Sequence, residues 1–274
     1  VVIGGGYLGL EIAASATGRG CRVTIVEREA HLLARVMPRA VADAIGAVHR
    51  RAGVDIRLGT ALARLEGDRH VSNVVLADGT ELPADAVVIA IGVIPNTELA
   101  ESAGAQSNDG LVVDAFGRTS LPNVWAAGDV ANQPSRHAGR RIRLESWQNA
   151  QNQAIQVARN MVGEPAPYDE LPWFWSDQYD LNIQMFGVCA TDARIVWRGA
   201  PAEPRSLAFA LEGGRITLAV GFNAAADLRQ AKRMIESGAA VDVRALEDPA
   251  RKLKDLVKDL AGAMGAGSLA VGAA

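Results

Sequence analysis

The 274-residue chain is 49% apolar with a net charge of −3. That is enough apolar material for about two domain cores, and the lack of a basic field argues against a nucleic-acid or anionic membrane partner. No run reaches the ~18–20 apolar residues of a membrane span, and no charged-then-apolar leader precedes the first motif. The two cysteines, Cys21 and Cys189, form no C-x-x-C and the four histidines are dispersed. This predicts no metal site, two small buried thiols and a cytoplasmic setting.

The chain opens Val1-Val2-Ile3-Gly4-Gly5-Gly6-Tyr7-Leu8-Gly9, a buried strand running into a G-x-G-x-x-G turn. Gly4 suits the tight turn, Gly6 lets backbone approach a pyrophosphate, and Gly9 lets the helix pack closely on its strand. Leu8, Ile12 and Ala16 share a helical face, with Gly18 placed as its left-handed cap. Next, Arg22-Val23-Thr24-Ile25-Val26-Glu27 ends in an acid suited to both ribose hydroxyls. Strand, turn, helix and acid together predict a nicotinamide dinucleotide site. Glu27 favours NAD, because a carboxylate repels a 2′-phosphate, although the adjacent Arg28 suits NADP.

A helix is predicted after Pro38, with Val41, Ile45 and Val48 on one face and Gly53 ending it before a strand at 54–58. Strands follow around 63–65 and 71–76, then an Asp78-Gly79 turn and a strand at 86–91 that ends in Gly92. A first domain closes near residue 108. In the second block, 109–165, an apolar strand leads into Ala127-Gly128-Asp129, and a helix over about 145–162 has Trp147, Ala150, Ala154, Val157 and Met161 as its apolar stripe. Its N-terminus would favour negative charge on a nearby ring. In the third block, strands are expected at 181–189, 194–198, 206–211 and 215–222. Asn223 would cap a helix at 224–237, and Asp248 with Pro249 would start another. The segment 261–274 reads as a disordered tail.

The motifs Gly4-Gly5-Gly6-Tyr7-Leu8-Gly9-Leu10-Glu11, Ile91-Gly92-Val93-Ile94-Pro95-Asn96, Ala126-Ala127-Gly128-Asp129-Val130, Glu145-Ser146-Trp147-Gln148-Asn149-Ala150 and Pro172-Trp173-Phe174-Trp175-Ser176-Asp177-Gln178 occur in the order seen in NADH-dependent ferredoxin, rubredoxin and putidaredoxin reductases. The chain resembles that flavoprotein family over nearly its whole length. The resemblance implies an α/β fold: a Rossmann-like NAD-binding domain (1–108), the returning half of a FAD-binding domain (109–165) and a C-terminal α+β domain (166–260). Because the first flavin βαβ unit would precede Val1, the chain is expected to be a piece of a longer enzyme.

Carried over, Gly4, Gly6 and Gly9 would hold the NAD pyrophosphate, Glu27 the ribose and Arg35 the adjacent phosphate or adenine edge. Gly92 would let the nicotinamide half pass, with Glu11 near its carboxamide. On the FAD side the resemblance implies Gly128, Asp129 at the ribityl chain, Glu145, Trp147 at the pyrimidine end, and Trp175 or Trp173 shielding the flavin edge. Chemistry would be carried by the cofactors: NADH reduces FAD, which passes single electrons to a [2Fe–2S] ferredoxin or a rubredoxin. Arg136, Arg140, Arg141 and Arg143, with His137 among them, read as a basic loop steering an acidic partner, with Arg229, Lys232 and Arg233 at its rim. The alternatives are a disulfide-type two-dinucleotide reductase and a non-catalytic, redox-sensing NAD-binding module.

Overall fold

The computed structural model describes residues 1–201 and 203–270, with side chains through Ala261. Its elements in chain order are β1 (Val2–Ile3), α1 (Tyr7–Gly18), β2 (Thr24–Glu27), α2 (Arg39–Arg51), β3 (Asp55–Leu58), β4 (Leu62–Gly67), β5 (Val71–Leu76), β6 (Glu81–Pro83), β7 (Val88–Ile89) and α3 (Glu98–Ser102). Then come β8 (Leu111–Val112), β9 (Ala131–Ser135), β10 (Arg140–Arg143), α4 (Trp147–Met161), β11 (Trp173–Gln178), β12 (Leu181–Gly187), β13 (Arg194–Arg198), β14 (Ser206–Glu212), β15 (Arg215–Phe222), α5 (Ala225–Ser237), α6 (Val243–Glu247) and α7 (Leu253–Ala270).

Strands β3-β2-β1-β7 form a parallel sheet, with Val2 opposite Ile25 and Ile3 opposite Val26. Alternation along the strand decides what each face covers. Val2 and Ile25 join Leu10, Ala13, Val41 and Ile45 of the two helices. Ile3 and Val26 meet Val74 and Leu76 of the antiparallel β4-β5-β6 sheet. A three-stranded sheet, β10-β9-β8, forms the middle unit.

The five-stranded antiparallel sheet β11-β12-β15-β14-β13 is covered on both faces. Leu207, Phe209 and Leu211 point to the helices α5, α6 and α7, whereas Ala208 and Ala210, with Ile183, Met185, Val220 and Phe222, share a core with α1 and α2. The C-terminal unit is thereby packed onto the opening glycine-turn unit, which explains the unbroken apolar run in β14. The mixed α/β architecture agrees with the fold expected from the sequence.

Several local expectations are corrected. Gly18 is the last residue of α1; Arg19 and Gly20 close the turn on Ala16 and Thr17 carbonyls, and Gly20 takes the left-handed φ of +82°. The strand expected at 86–91 pairs only at Val88 and Ile89, because the carbonyl of Ala90 packs under Gly4 and the chain then turns away. Asn223 does not cap α5: its amide instead ties to Asn182 N–H and the Asp180 carbonyl, while the N-cap position is Ala224. Asp242, capping α6 through the amides of Arg244 and Ala245, was not anticipated, and the last helix starts at Leu253 rather than near Asp248.

Cys21 is exposed and Cys189 is half-buried, burial pushing the Cys189 thiol up to about 12. The tail expected from residue 261 is helical as far as Ala270, alanine being a strong helix former; residues 271–274 lie outside the described residues. Among the described residues no helix is long and apolar enough to cross a membrane.

Ile183, fully buried where the C-terminal sheet meets α1 and α2, ties the units together. Ile183→Ala is expected to lower unfolding free energy by about 2–5 kcal/mol, measured by urea denaturation.

Candidate functional site

The glycine turn is built by contacts that admit no side chain at two positions. A Cβ on Gly4 (φ +109°) would lie 2.2 Å from the Ala90 carbonyl oxygen, and one on Gly9 would lie 2.1 Å from the Gly4 carbonyl oxygen. Gly6, by contrast, faces open space at the N-cap of α1, where no side chain satisfies the first helical amides. Open backbone at a helix N-terminus is what a pyrophosphate requires. Gly5 was not singled out from sequence, yet its Cβ would collide with Leu32.

Glu27 is already engaged: one carboxylate oxygen accepts from Gly5 N–H at 2.6 Å and the other from Glu29 N–H at 2.8 Å. A carboxylate has about four acceptor sites, so capacity for a ribose remains while the backbone fixes the side chain. Arg28 turns to Glu29 at 3.1 Å and is largely solvated. Gly92 (φ +105°) lies under the Arg35 guanidinium, a Cβ there falling 2.7 Å from its nitrogen. The structure thus brings Arg35 and Gly92 together.

The second group assembles around α4. Ser146 caps that helix by accepting from Asn149 N–H, and Gly128 (φ +76°) packs against Ala150, leaving 3.5 Å to a would-be Cβ. Gly128 N–H donates to Gln153 Oε1 at 2.8 Å. Gln153 in turn donates to Gln133 at 2.6 Å, and Gln133 to Asn149 at 3.1 Å. This buried amide triad holds the Gly128-Asp129 turn to the start of α4.

The buried side of α4 is therefore Asn149, Gln153, Val157 and Asn160, and the expected apolar stripe is wrong in part: Trp147 and Met161 are exposed at 66% and 57%. The triad's residues had a signal, since Asn149, Gln153 and Asn160 recur at helical spacing as polar positions.

Asp129 is exposed but sits in a demanding setting. Burial and the nearby Glu145 raise its carboxyl above the ordinary carboxylate range, and Arg143 opposes them. Arg143, nearly buried, bonds Asp109 at 3.0 Å, Glu145 at 2.6 Å and the Asp129 carbonyl at 3.2 Å. Arg141 reaches the Val113 and Asn132 carbonyls, and Arg136 pairs with Asp169. Arg143 thus braces the turn, while Arg136, Arg140 and Arg141 remain exposed, and Arg140 alone of the four reaches neither an acid nor another strand's carbonyl among the described residues.

The two groups meet along β11. Phe174 packs on Tyr7 of α1 at 4.6 Å between ring centroids, Trp175 stands edge-on to Trp147 of α4 at 6.2 Å, and Trp173 stacks on Trp175 at 5.0 Å. Ser176 donates to Glu11 at 2.6 Å. Period-2 alternation explains the division: Phe174 and Ser176 face α1, and Trp173 and Trp175 face the α4 side. The open backbone at Gly6 and the Gly128-Asp129 turn at the start of α4 have the chemistry to hold a dinucleotide each.

The family profile described as pyridine nucleotide-disulphide oxidoreductase matches residues 1–154, more than half of the chain, and that described as reductase C-terminal matches 173–257. The chain belongs to the pyridine nucleotide-disulphide oxidoreductase family. It is 41% identical over 254 residues to the ferredoxin–NAD(+) reductase component of an anthranilate 1,2-dioxygenase system from Burkholderia cepacia, covering 92% of this chain and 63% of the relative. Putidaredoxin reductase CamA from Pseudomonas putida is 39% identical over 260 residues, covering 94% and 62%.

Among solved structures, the ferredoxin reductase for the CYP199A2 system of Rhodopseudomonas palustris superposes with a TM-score of 0.89 at 36% identity, over 93% of this chain and 64% of that one. The covalent putidaredoxin reductase–putidaredoxin complex gives 0.89 at 39%, over 94% and 63%. The expected likeness to ferredoxin reductases is borne out. The chain spans a little under two-thirds of these relatives.

Two outcomes follow for the turn. Gln153→Leu, which leaves the buried Gly128 amide unpaired, is expected to cost about 1–3 kcal/mol in urea denaturation. Since the folded Asp129 carboxyl titrates above its unfolded value, ionisation penalises the fold at neutral pH. Asp129→Asn should raise Tm at pH 7, and the gain should vanish as pH falls below about 4, read by calorimetry across pH.

Proposed function

We propose that this chain is the NADH-binding and flavin-covering part of a ferredoxin reductase, taking hydride from NADH to FAD and delivering single electrons to a ferredoxin-type iron–sulfur protein. The observation that carries this reading is β11, which lies against both the glycine-turn helix and the helix behind Asp129. Relatives whose names specify ferredoxin–NAD(+) and putidaredoxin reductases support it. The reductase C-terminal match favours it over a disulfide-type reductase.

FAD, when bound, supplies hydride acceptance and one-electron release. The protein supplies grip and orientation. The open backbone at Gly6 and the α1 N-terminus would hold the NADH pyrophosphate, Glu27 the ribose, and Arg35 the phosphate or adenine edge beside Gly92. Glu11 would accept from the nicotinamide carboxamide. Asp129 would bond the ribityl chain, and the α4 N-terminus, with Glu145 and Trp147, would border the pyrimidine end, where the helix dipole favours electron-rich states. Trp175 and Trp173 would exclude water from the ring edge. No acid or base residue is needed, since hydride transfer depends on stacking and distance.

The natural-length protein should carry flavin absorbance that anaerobic NADH bleaches; a colourless protein, or a flavin that NADH leaves oxidised, contradicts the reading. In titration calorimetry with this chain, Glu27→Ala should weaken NADH at least tenfold, the scale of lost charge-assisted hydrogen bonds. NADPH should bind the unaltered chain more weakly than NADH, and equal binding would contradict the assignment of Glu27.

A further inference from the structure

Glu11 ends a chain of hydrogen bonds whose direction can be deduced. An ionised carboxylate only accepts, so the Ser176 hydroxyl donates to Glu11 Oε1 across 2.6 Å. Ser176 must then accept the Gln178 amide N–H at 2.9 Å, which turns Gln178 Oε1 towards His49 Nε2, 2.9 Å away. His49 therefore carries its proton on Nε2. Its Nδ1 is left to accept from the Tyr179 hydroxyl at 3.0 Å.

Every donor points the same way, from the part-exposed Tyr179 to Glu11. His49, Gln178 and Ser176 are almost completely buried, and burial holds the His49 imidazolium form down, keeping the ring neutral. The network crosses between units: Glu11 and His49 lie on α1 and α2, Ser176 and Gln178 on β11. Packing alone does not require four polar side chains at an apolar junction, where each must be satisfied to be tolerated.

We propose that Ser176, Gln178, His49 and Tyr179 are positioning residues for nicotinamide binding, fixing the Glu11 carboxylate so that its second oxygen meets the carboxamide. That oxygen has no hydrogen-bond partner among the described residues. Glu11 lies one helical turn beyond Tyr7, on the α1 face covered by β11. The proposal rests on the NADH-binding reading given above. Its consequence is that the C-terminal unit, which supplies none of the turn's glycines, sets how well the nicotinamide end is held.

The test compares NADH with ADP-ribose, which lacks the nicotinamide, by titration calorimetry on this chain. Ser176→Ala should weaken NADH roughly three- to tenfold, the scale of one or two hydrogen bonds, and leave ADP-ribose unchanged. Ser176→Thr, which keeps the hydroxyl, should restore NADH binding. Tyr179→Phe, at the exposed end, should shift the same ratio about two- to threefold. Equal loss for both ligands, or none, with Ser176→Ala overturns the proposal, and an unchanged ratio with Tyr179→Phe removes His49 and Tyr179 from it. If the unaltered chain binds neither ligand, the NADH reading fails as well. If Glu27→Ala weakens both ligands while Ser176→Ala weakens neither, only the positioning chain fails.

Discussion

Everything in this molecule depends on one six-residue strand being wedged between two helices. Trp173–Gln178 places Phe174 and Ser176 against α1 and Trp175 against Trp147 of α4. The constraint is the two-residue period of a β-strand: alternate side chains must serve opposite partners. A one-residue slip of β11 would exchange the two sets and abolish both contacts. The register is held by pairing with β12, where Trp173 lies opposite Phe186 and Gln178 opposite Leu181. β12 is in turn held by Ile183 and Met185 in the core shared with α1 and α2.

The two halves of the site are stiffened by different means. The glycine turn is steric: Gly4 and Gly9 touch backbone where no Cβ fits, and Glu27 holds Gly5 by a charge-assisted bond. The Gly128-Asp129 turn is polar, tied by Gln153, Gln133 and Asn149 inside and by Arg143 at its edge. A buried amide network is costly unless complete, and here its members satisfy one another. Asp129 itself is destabilised by burial and by Glu145. A carboxylate kept in such a setting is a cost to stability, as is common where function is served.

The glycine turn, Glu27 and the helix over about 145–162 are legible in the sequence because each has a local cause: special φ, close backbone contact, or helical periodicity. Residues whose role depends on a distant partner are not. Ser176 and Gln178 look like ordinary strand polars until β11 is laid on α1. Gln153 seemed incidental because the helix was read for its apolar positions, and the polar spacing of Asn149, Gln153 and Asn160 marks the truly buried side. The loop arginines show the same limit. Charge counts along a sequence do not show that Arg141 and Arg143 fold back onto carbonyls and acids.

The most direct measurement is a crystal structure of the natural-length protein with NAD+ and FAD both bound, reading the distance from nicotinamide C4 to flavin N5. The rings should lie in face-to-face contact at about 3–3.5 Å, bordered by Trp147 and Trp175. Rings lying on opposite sides of β11, too far apart for hydride to pass, would contradict it.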